Sequence, residues 1–249
     1  MLLKNASILV VDDEPDLLEI MAEWFHREGC TVLVAENGAQ ALSLAQDHHL
    51  DLVVSDIHMP VMDGVTMLQK IKSTCSYLPS VIFITGFYDI EPREAYELGA
   101  EAIMSKPTER TDLVSAVTRI LTPREELWCM PPAGKADVVL PANFESLASA
   151  LARGLIAFGR GGFCIDSTLQ FREGPVDLLL DFCHEQRSVK GRGIIRWTSP
   201  EESRLGVEIT SIDAANLPWI LNLTSTNLSQ SFIPRATGAE SHLAQKAFR

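Results

Sequence analysis

The sequence has few cysteines and no long hydrophobic segment. Its five cysteines are scattered over 249 residues and form no CxxC pair, so the pattern gives no disulfide framework and favours a reducing compartment. The apolar stretch before Asp12, Asp13 and Glu14 is too short for a secretory signal and far too short to span a membrane. We therefore expect a cytoplasmic protein with no membrane span.

Basic residues are also scarce, because 33 Asp and Glu residues stand against 21 Lys and Arg, for a net charge of −12. The imbalance lies in residues 1–121, which contain 19 acidic and 8 basic residues, whereas residues 122–249 contain 14 and 13. Proteins bind nucleic acids mainly by neutralising phosphates with a basic surface. The sequence also has no helix-turn-helix pattern with a basic second helix, so we expect no DNA binding.

The first 121 residues alternate short apolar runs with amphipathic segments. The inner runs are apolar on both faces, as strands of a parallel sheet are, and they predict a doubly wound α/β domain with a five-stranded parallel sheet. The predicted strands are residues 7–11, 31–35, 52–55, 81–85 and 102–104, and the predicted helices are residues 15–28, 39–48, 65–74, 92–98 and 109–121. The functional crevice of such a domain lies beyond the carboxyl ends of its strands.

A proline-rich segment, residues 122–136, interrupts this alternation and predicts a linker. Beyond it, short strands and turns indicate a smaller β-barrel domain over residues 137–223, and we expect residues 224–249 to form a flexible tail. In the second domain we predict helices at residues 144–155 and 212–223, and strands at residues 162–166, 176–182, 191–197 and 205–210.

Acidic residues follow two of the predicted strands of the first domain. Asp12 and Asp13 come after the first strand, and Asp56 comes after the third. Carboxylates gathered in one crevice repel one another unless a hard divalent cation offsets their charge, and Mg²⁺ prefers oxygen ligands. Thr85 ends the fourth strand and Lys106 follows the fifth, which adds a hydroxyl donor and a cation. The sequence therefore predicts a magnesium site that can receive an anion.

Phosphoryl transfer to a carboxylate is the chemistry that fits this set of residues. Asp56 is the predicted acceptor, because Asp12 and Asp13 open a helix and are better placed to bind the metal. Lys106 would offset charge on the phosphoryl oxygens, and Thr85 would donate a hydrogen bond to the product. The structural alternative is that the paired acids only cap the first helix and that the fold is retained without phosphorylation.

Four segments resemble the receiver domain of bacterial two-component response regulators, and they follow the order and spacing of that family. The segments are VVDDE (residues 10–14), LVVSDIHMPVMDG (52–64), FITG (83–86) and SKP (105–107). The resemblance implies a flavodoxin-like fold, a cis peptide bond at Lys106–Pro107, and a histidine kinase or phosphotransfer protein as the partner.

The same resemblance implies individual roles in the site. Asp13 and Asp56 would bind Mg²⁺ directly, Asp12 would act through water, and the backbone carbonyl of His58 would supply a further ligand. One position departs from the family, since Ile103 stands where an aromatic switch residue is often found. Coupling of an aromatic rotamer to the site is therefore in doubt for this chain.

The second domain resembles the PilZ family, a small six-stranded β-barrel that commonly binds cyclic di-GMP. The likeness lies in GRGGFCID (residues 159–166), REGPVDLLLDF (172–182), GRGIIRW (191–197) and LGVEITSID (205–213). Members that bind the nucleotide have an arginine pair, RxxxR, before the barrel and D/N-x-S-x-x-G on the first turn. Here the arginine pair, the acid and the serine are all missing, which leaves Arg153 and Arg160 as candidates.

Two functions stay open for the second domain. We favour a signal output through protein contacts or homodimerisation, with an unidentified downstream protein. The alternative is an effector that binds cyclic di-GMP under the control of the first domain. No nucleophile and base pair is visible in the second half, so we expect no enzymatic activity.

Overall fold

The computed structural model describes residues 3–74, 78–86, 90–132, 134, 136–226 and 230–235. The chain divides into two compact units, Met1–Pro123 and Arg124–Arg249. Among the described residues, no helix combines the length and the hydrophobicity that crossing a bilayer requires.

Where the structure describes it, the first unit alternates five strands with five helices. The strands are β1 (Ser7–Val11), β2 (Thr31–Ala35), β3 (Leu52–Ser55), β4 (Ser80–Thr85) and β5 (Ala102–Ser105), and the helices are α1 (Pro15–Arg27), α2 (Gly38–Asp47), α3 (Gly64–Thr74), α4 (Pro92–Leu98) and α5 (Arg110–Leu121). The strands pair in the order β2-β1-β3-β4-β5 and every pairing is parallel. This arrangement confirms the predicted doubly wound α/β fold.

Side chains of the central strands alternate between two helical layers. Ile8 and Val10 of β1 pack with the apolar faces of α1 and α5, whereas Leu9 and Val11 pack with those of α2, α3 and α4. A strand covered on both faces must be apolar at successive positions. This requirement explains why the strand sequences ILVV and LVVS are fully buried.

A buried ion pair connects α3 to the start of β4 and β5. Lys72 Nζ lies 3.3 Å from Glu101 Oε1 and donates to the carbonyl of Pro79 at 2.9 Å, and only 1% and 3% of the two side chains is exposed. Glu101 Oε2 accepts the backbone N–H of Val81 at 2.6 Å. Both charges are thus taken out of water, and each has hydrogen-bond partners that offset part of the desolvation.

The loop between β3 and α3 holds a residue in a strained backbone conformation. Val61 has a φ of +70° and its side chain is 86% exposed. A β-branched residue is disfavoured in the left-handed region because its Cβ approaches the backbone. The backbone N–H of Met62 donates to the carbonyl of Pro60 at 2.8 Å, which closes a tight turn around Val61.

Val61→Gly should raise the unfolding free energy of the first unit by about 1 kcal/mol, because glycine removes the strain and little packing is lost. Urea-dependent hydrogen exchange of the β1 and β3 amides measures this unit separately from the other. Val34→Gly is the matched control, since Val34 is 49% exposed on edge strand β2, and there glycine should cost about 1 kcal/mol. Equal destabilisation by both changes would contradict the strain argument.

In its described residues, the second unit is a six-stranded sheet with three short helices. Its strands are β6 (Val139–Phe144), β7 (Ile156–Phe158), β8 (Gly162–Asp166), β9 (Gly174–Phe182), β10 (Arg187–Ser199) and β11 (Arg204–Ile212), and its helices are α6 (Arg124–Leu127), α7 (Leu147–Ala152) and α8 (Leu217–Thr226). The order is β6-β9-β10-β11-β8-β7, with antiparallel pairing except between β6 and β9. In the part of the chain that the structure describes, β6 and β7 are edges, so the sheet is a half-barrel where a closed barrel was predicted.

Both helices predicted for this unit, over residues 144–155 and 212–223, begin later in the structure, since α7 starts at Leu147 and Ile212 still belongs to β11, with α8 starting at Leu217. The predicted helix over residues 144–155 is shorter: Phe144 ends β6, where its ring stacks on Phe182 at 5.1 Å, and α7 begins after Ser146, whose hydroxyl accepts the N–H of Ser149. The backbone before the Ser146 cap is extended, so the helical run of apolar residues could not continue back to Phe144.

The predicted linker and tail also contribute to the second unit. Within residues 122–136, helix α6 is followed by Trp128, which is buried in the core of this unit and accepts the N–H of Ile212 at 2.8 Å. Within residues 224–249, the described residues 230–235 pack on the turn between β7 and β8. Burial of large apolar side chains outweighs the turn-forming composition of both segments.

Candidate functional site

Three acids meet at the carboxyl end of the sheet in the first unit. Asp12 and Asp13 follow β1, and Asp56 follows β3, the strand beside β1. Because the two strands are parallel, their ends lie at the same edge, and one carboxylate oxygen from each acid lies within 4.8 Å of the others. Asp12 and Asp56 are buried, whereas Asp13 is exposed.

Asp56 is held by hydrogen bonds on both carboxylate oxygens. Its Oδ1 accepts the backbone N–H of Ile57 at 2.6 Å, and its Oδ2 accepts from Lys106 Nζ at 2.8 Å. Its own N–H donates to the carbonyl of Val11 at 2.9 Å, which continues the β1–β3 ladder into the site. The carboxylate is therefore fixed in orientation before any ligand arrives.

Lys106 bridges the acids from the loop after β5. Its ammonium donates to Asp12 Oδ2 at 3.0 Å as well as to Asp56, and it lies 3.8 Å from Glu14 Oε1. Burial lowers the pKa of Lys106, but its hydrogen bonds to Asp56 and Asp12 and the charges of both carboxylates outweigh this effect, so the pKa is raised. The side chain is therefore a fixed cation at neutral pH.

Thr85 lies at the end of β4 on the same edge. It is buried, and its carbonyl accepts the backbone N–H of Lys106 at 2.9 Å, so the hydroxyl-bearing residue and the lysine are joined through the backbone. The Lys106–Pro107 bond is cis, in agreement with the resemblance. The structure thus brings all five sequence-predicted polar residues to one end of the sheet.

Three further residues contribute to this site and were not predicted as part of it. Glu14 contacts Lys106, and the hydroxyl of Ser55 donates to the Asp56 carbonyl at 2.6 Å. Gly64 lies so close that a Cβ there would be 2.3 Å from the same Asp56 carbonyl oxygen. Glycine is therefore required by close approach of α3 to the acceptor loop.

The helix-capping alternative is met only in part. Glu14 is the N-cap residue of α1 but makes no side-chain capping bond. Asp12 Oδ1 accepts the N–H of Glu14 at 3.0 Å, while Asp12 Oδ2 binds Lys106. Helix capping thus involves only Oδ1 of Asp12 among the three acids. It does not explain why Asp13, Asp56 and Lys106 lie at the same place.

The donor set at this edge fits a hard divalent cation. Three carboxylates from two adjacent strand ends offer oxygen atoms at short mutual distances, and Asp13 gives the cluster access to water. Oxygen-only donor sets suit Mg²⁺, which retains several water ligands. His58 lies exposed in the loop after β3, and Ile103 is half-buried against the core layer of α2, α3 and α4.

The arginine candidates of the second unit lie in different settings. Arg153 is exposed at the C-cap of α7, whereas Arg160, in the β7–β8 turn, is 2% exposed and donates from Nε to the carbonyl of Gln230 at 3.2 Å. Arg192 and Arg196 on β10 are also spaced as RxxxR, although they follow the glycine turn, and they form ion pairs with acids of their own sheet at 2.8 Å and 2.5 Å.

The fold and the acidic site define the class of protein. The family model for the response regulator receiver domain matches residues 8–118. The chain is also 33% identical over 118 residues to sporulation initiation phosphotransferase F of Bacillus subtilis (strain 168), and this match covers 47% of the chain and 94% of that protein. The chain therefore belongs to the response regulator receiver family, and its first unit is the receiver domain.

Two transcriptional regulators match the chain over about the length of this domain. Transcriptional regulatory protein GlrR of Escherichia coli (strain K12) is 33% identical over 115 residues, with 46% of this chain and 26% of that protein covered. Transcriptional regulatory protein CpxR of Klebsiella pneumoniae is 33% identical over 122 residues, with 49% and 51% covered. The chain thus spans about half or less of these two relatives. A solved receiver domain from Clostridium thermocellum is 29% identical with a TM-score of 0.44, covering 47% of this chain and 94% of that one.

Proposed function

We propose that Asp56 accepts a phosphoryl group from a histidine kinase or a phosphotransfer protein. The observation that supports this most is the Lys106 ammonium placed between Asp12 and Asp56, because it sets a permanent cation against the predicted acceptor. A receiver domain implies a phosphoryl donor of this class, and the relative from Bacillus subtilis is itself named as a phosphotransferase.

The transfer forms a bond between a carboxylate oxygen of Asp56 and phosphorus while the bond from phosphorus to the donor's imidazole nitrogen breaks. Lys106 offsets the charge on the phosphoryl oxygens, and Thr85 donates its hydroxyl hydrogen bond to the phosphorylated product. Asp12, Asp13, Asp56 and the His58 carbonyl would hold Mg²⁺, which supplies further charge neutralisation when bound.

Incubation with acetyl phosphate tests this proposal without a kinase. With Mg²⁺ present, the intact mass of the full chain should rise by one phosphoryl group. Chelation of the metal with EDTA should slow this uptake by at least about tenfold, because the acidic cluster then lacks its main source of neutralising charge. No mass increase in the presence of magnesium would count against Asp56 as an acceptor.

We propose further that the second unit passes the signal on through protein contacts or self-association and performs no catalysis of its own. This assignment treats the unit as a divergent PilZ-like domain acting in the cytoplasm. The alternative, a cyclic di-GMP effector, has less support because one of its two candidate arginines, Arg160, is almost fully buried beneath the chain's own residues 230–235. Ion pairs within the sheet engage Arg192 and Arg196 as well.

A further inference from the structure

Residues 230–235, which we call the strap, lie on the turn between β7 and β8. Ser231, Phe232, Ile233 and Pro234 are all buried, and Ile233 is 0% exposed. This segment follows α8 and belongs to no helix or strand. Burial of four consecutive residues in an irregular segment indicates a surface shaped to receive it.

The strap is bound through three consecutive carbonyl groups. The N–H groups of Arg160 and Gly161 donate to the carbonyls of Ser231 and Phe232 at 3.0 Å and 2.9 Å. The Arg160 guanidinium donates to the carbonyl of Gln230 at 3.2 Å. Main-chain hydrogen bonds of this kind do not depend on side-chain identity, and side-chain pockets then select the sequence of the segment.

Two glycines of the turn create the side-chain selectivity. A Cβ on Gly161 would lie 2.0 Å from the Phe232 ring, and a Cβ on Gly159 would lie 2.6 Å from the Phe232 carbonyl oxygen. Neither glycine has a positive φ, so backbone conformation does not demand glycine at these positions. Close approach of an aromatic residue does, which makes the turn a recess for a phenylalanine.

We propose that the turn formed by residues 159–162 is a peptide-docking site whose ligand is a Ser-Phe-Ile-Pro segment. We propose also that the strap of a second copy of the chain exchanges with the resident strap. The strap contacts the turn and, through the carbonyl of Arg235, the thiol of Cys164 in β8, and the strap of a second copy can make these same contacts. This inference rests on the proposed output by self-association and names the surface that would mediate it.

A synthetic peptide of residues 230–235, with blocked termini and a fluorescent label, tests the docking site in the full chain. Phe232→Ala in the chain weakens the binding of the resident strap. Fluorescence anisotropy should then show that this variant binds the peptide at least about tenfold more tightly than the unaltered chain does. Leu169→Ala is the matched control, since this exposed side chain of the same unit makes no part of the turn, and it should leave the affinity unchanged. A peptide carrying Ala in place of its Phe should bind roughly 100-fold more weakly.

Equal binding of the two peptides, or no saturable binding to a folded Phe232→Ala chain, would overturn the docking site. Light scattering tests the exchange on the unaltered chain, so it does not depend on the folding of any variant. A dimer fraction that grows with concentration and falls on addition of the peptide is the expected result, and a monomer at all concentrations would overturn exchange. Neither measurement uses a phosphoryl donor, so their failure and a failure of Asp56 phosphorylation can be told apart.

Discussion

Asp56→Asn is expected to abolish phosphoryl uptake from acetyl phosphate. The amide keeps the size of the side chain but is not a competent nucleophile, and it removes one of the three charges that would bind Mg²⁺. Intact mass spectrometry after incubation with acetyl phosphate and magnesium should show the unmodified chain alone, while the unaltered protein gains one phosphoryl group.

Asp63→Asn is the matched control for this change. Asp63 lies in the same loop and caps α3 by accepting the N–H of Thr66 at 2.7 Å, a role that asparagine fills equally well. Phosphoryl uptake should therefore persist in this variant. If Asp56→Asn still gained a phosphoryl group, the acceptor would have to be another residue, with Asp12 and Asp13 as the nearest carboxylates.

Lys72→Met should lower the unfolding free energy of the receiver domain by about 3–4 kcal/mol, because it leaves Glu101 buried without its cation. The loss should appear in urea-dependent hydrogen exchange of the β3 and β4 amides, which reports on this unit alone. No comparable change is expected in the amides of β9 and β10, which belong to the second unit.

Two further variants separate the buried charge from a general effect of losing a lysine. Lys70→Met removes an exposed lysine from the same helix and should change the free energy by less than about 0.5 kcal/mol. Lys72→Met combined with Glu101→Leu removes both charges and should recover more than half of the loss. If the double variant were no more stable than Lys72→Met, the loss of stability would have to come from packing and not from the buried charge of Glu101.

The receiver domain could be predicted almost residue by residue because its signals are local. Strands such as Leu52–Ser55 are covered on both faces, so they must be apolar throughout, and helix α1 begins at a proline and ends before Gly29, which has a φ of +82°. The bounds of β1, β2, β3 and α4 agree with the prediction at both ends. Other bounds differ by one residue or so, which is the usual uncertainty at a frayed end.

The main residues of the site could be predicted from the sequence, but the hydrogen bonds and ion pairs between them could not. Parallel strands bring Asp12 and Asp56 to one edge once the fold is known, and this follows from strand order. The choice of partners does not, since Lys106 binds both acids and also approaches Glu14. These contacts depend on side-chain conformations in the loop after β5, which leave no periodic pattern in the sequence.

Strand β6 could not be recognised, because a proline interrupts its pattern. The carbonyl of Val138 accepts the N–H of Asp177 in β9, and the carbonyl of Phe144 accepts the N–H of Cys183 just after β9. By alternation, the backbone of Pro141 points away from that strand. A proline there costs no hydrogen bond of the ladder, and this is why an edge strand tolerates it. The sequence does not reveal which strand will be an edge, so the proline indicates a loop.

The strap could not be predicted because it is ordered by contacts with a turn that lies far from it in the sequence. Composition rich in Ser, Thr and Asn favours disorder locally, whereas in the structure the ring of Phe232 packs on the turn at Gly161. Glycine in that turn suggests conformational freedom when it is read alone. Glycine is needed at position 161 because the ring of Phe232 packs against it.

The order of synthesis adds a consequence to the burial of Phe232 on Gly161. The ribosome completes the β7–β8 turn before it makes the segment that covers it, about 70 residues later, which at roughly 5–20 residues per second takes about 4–14 s. During that interval the chain lacks the ring that packs on Gly161, so this part of the second unit completes its packing only near the end of synthesis.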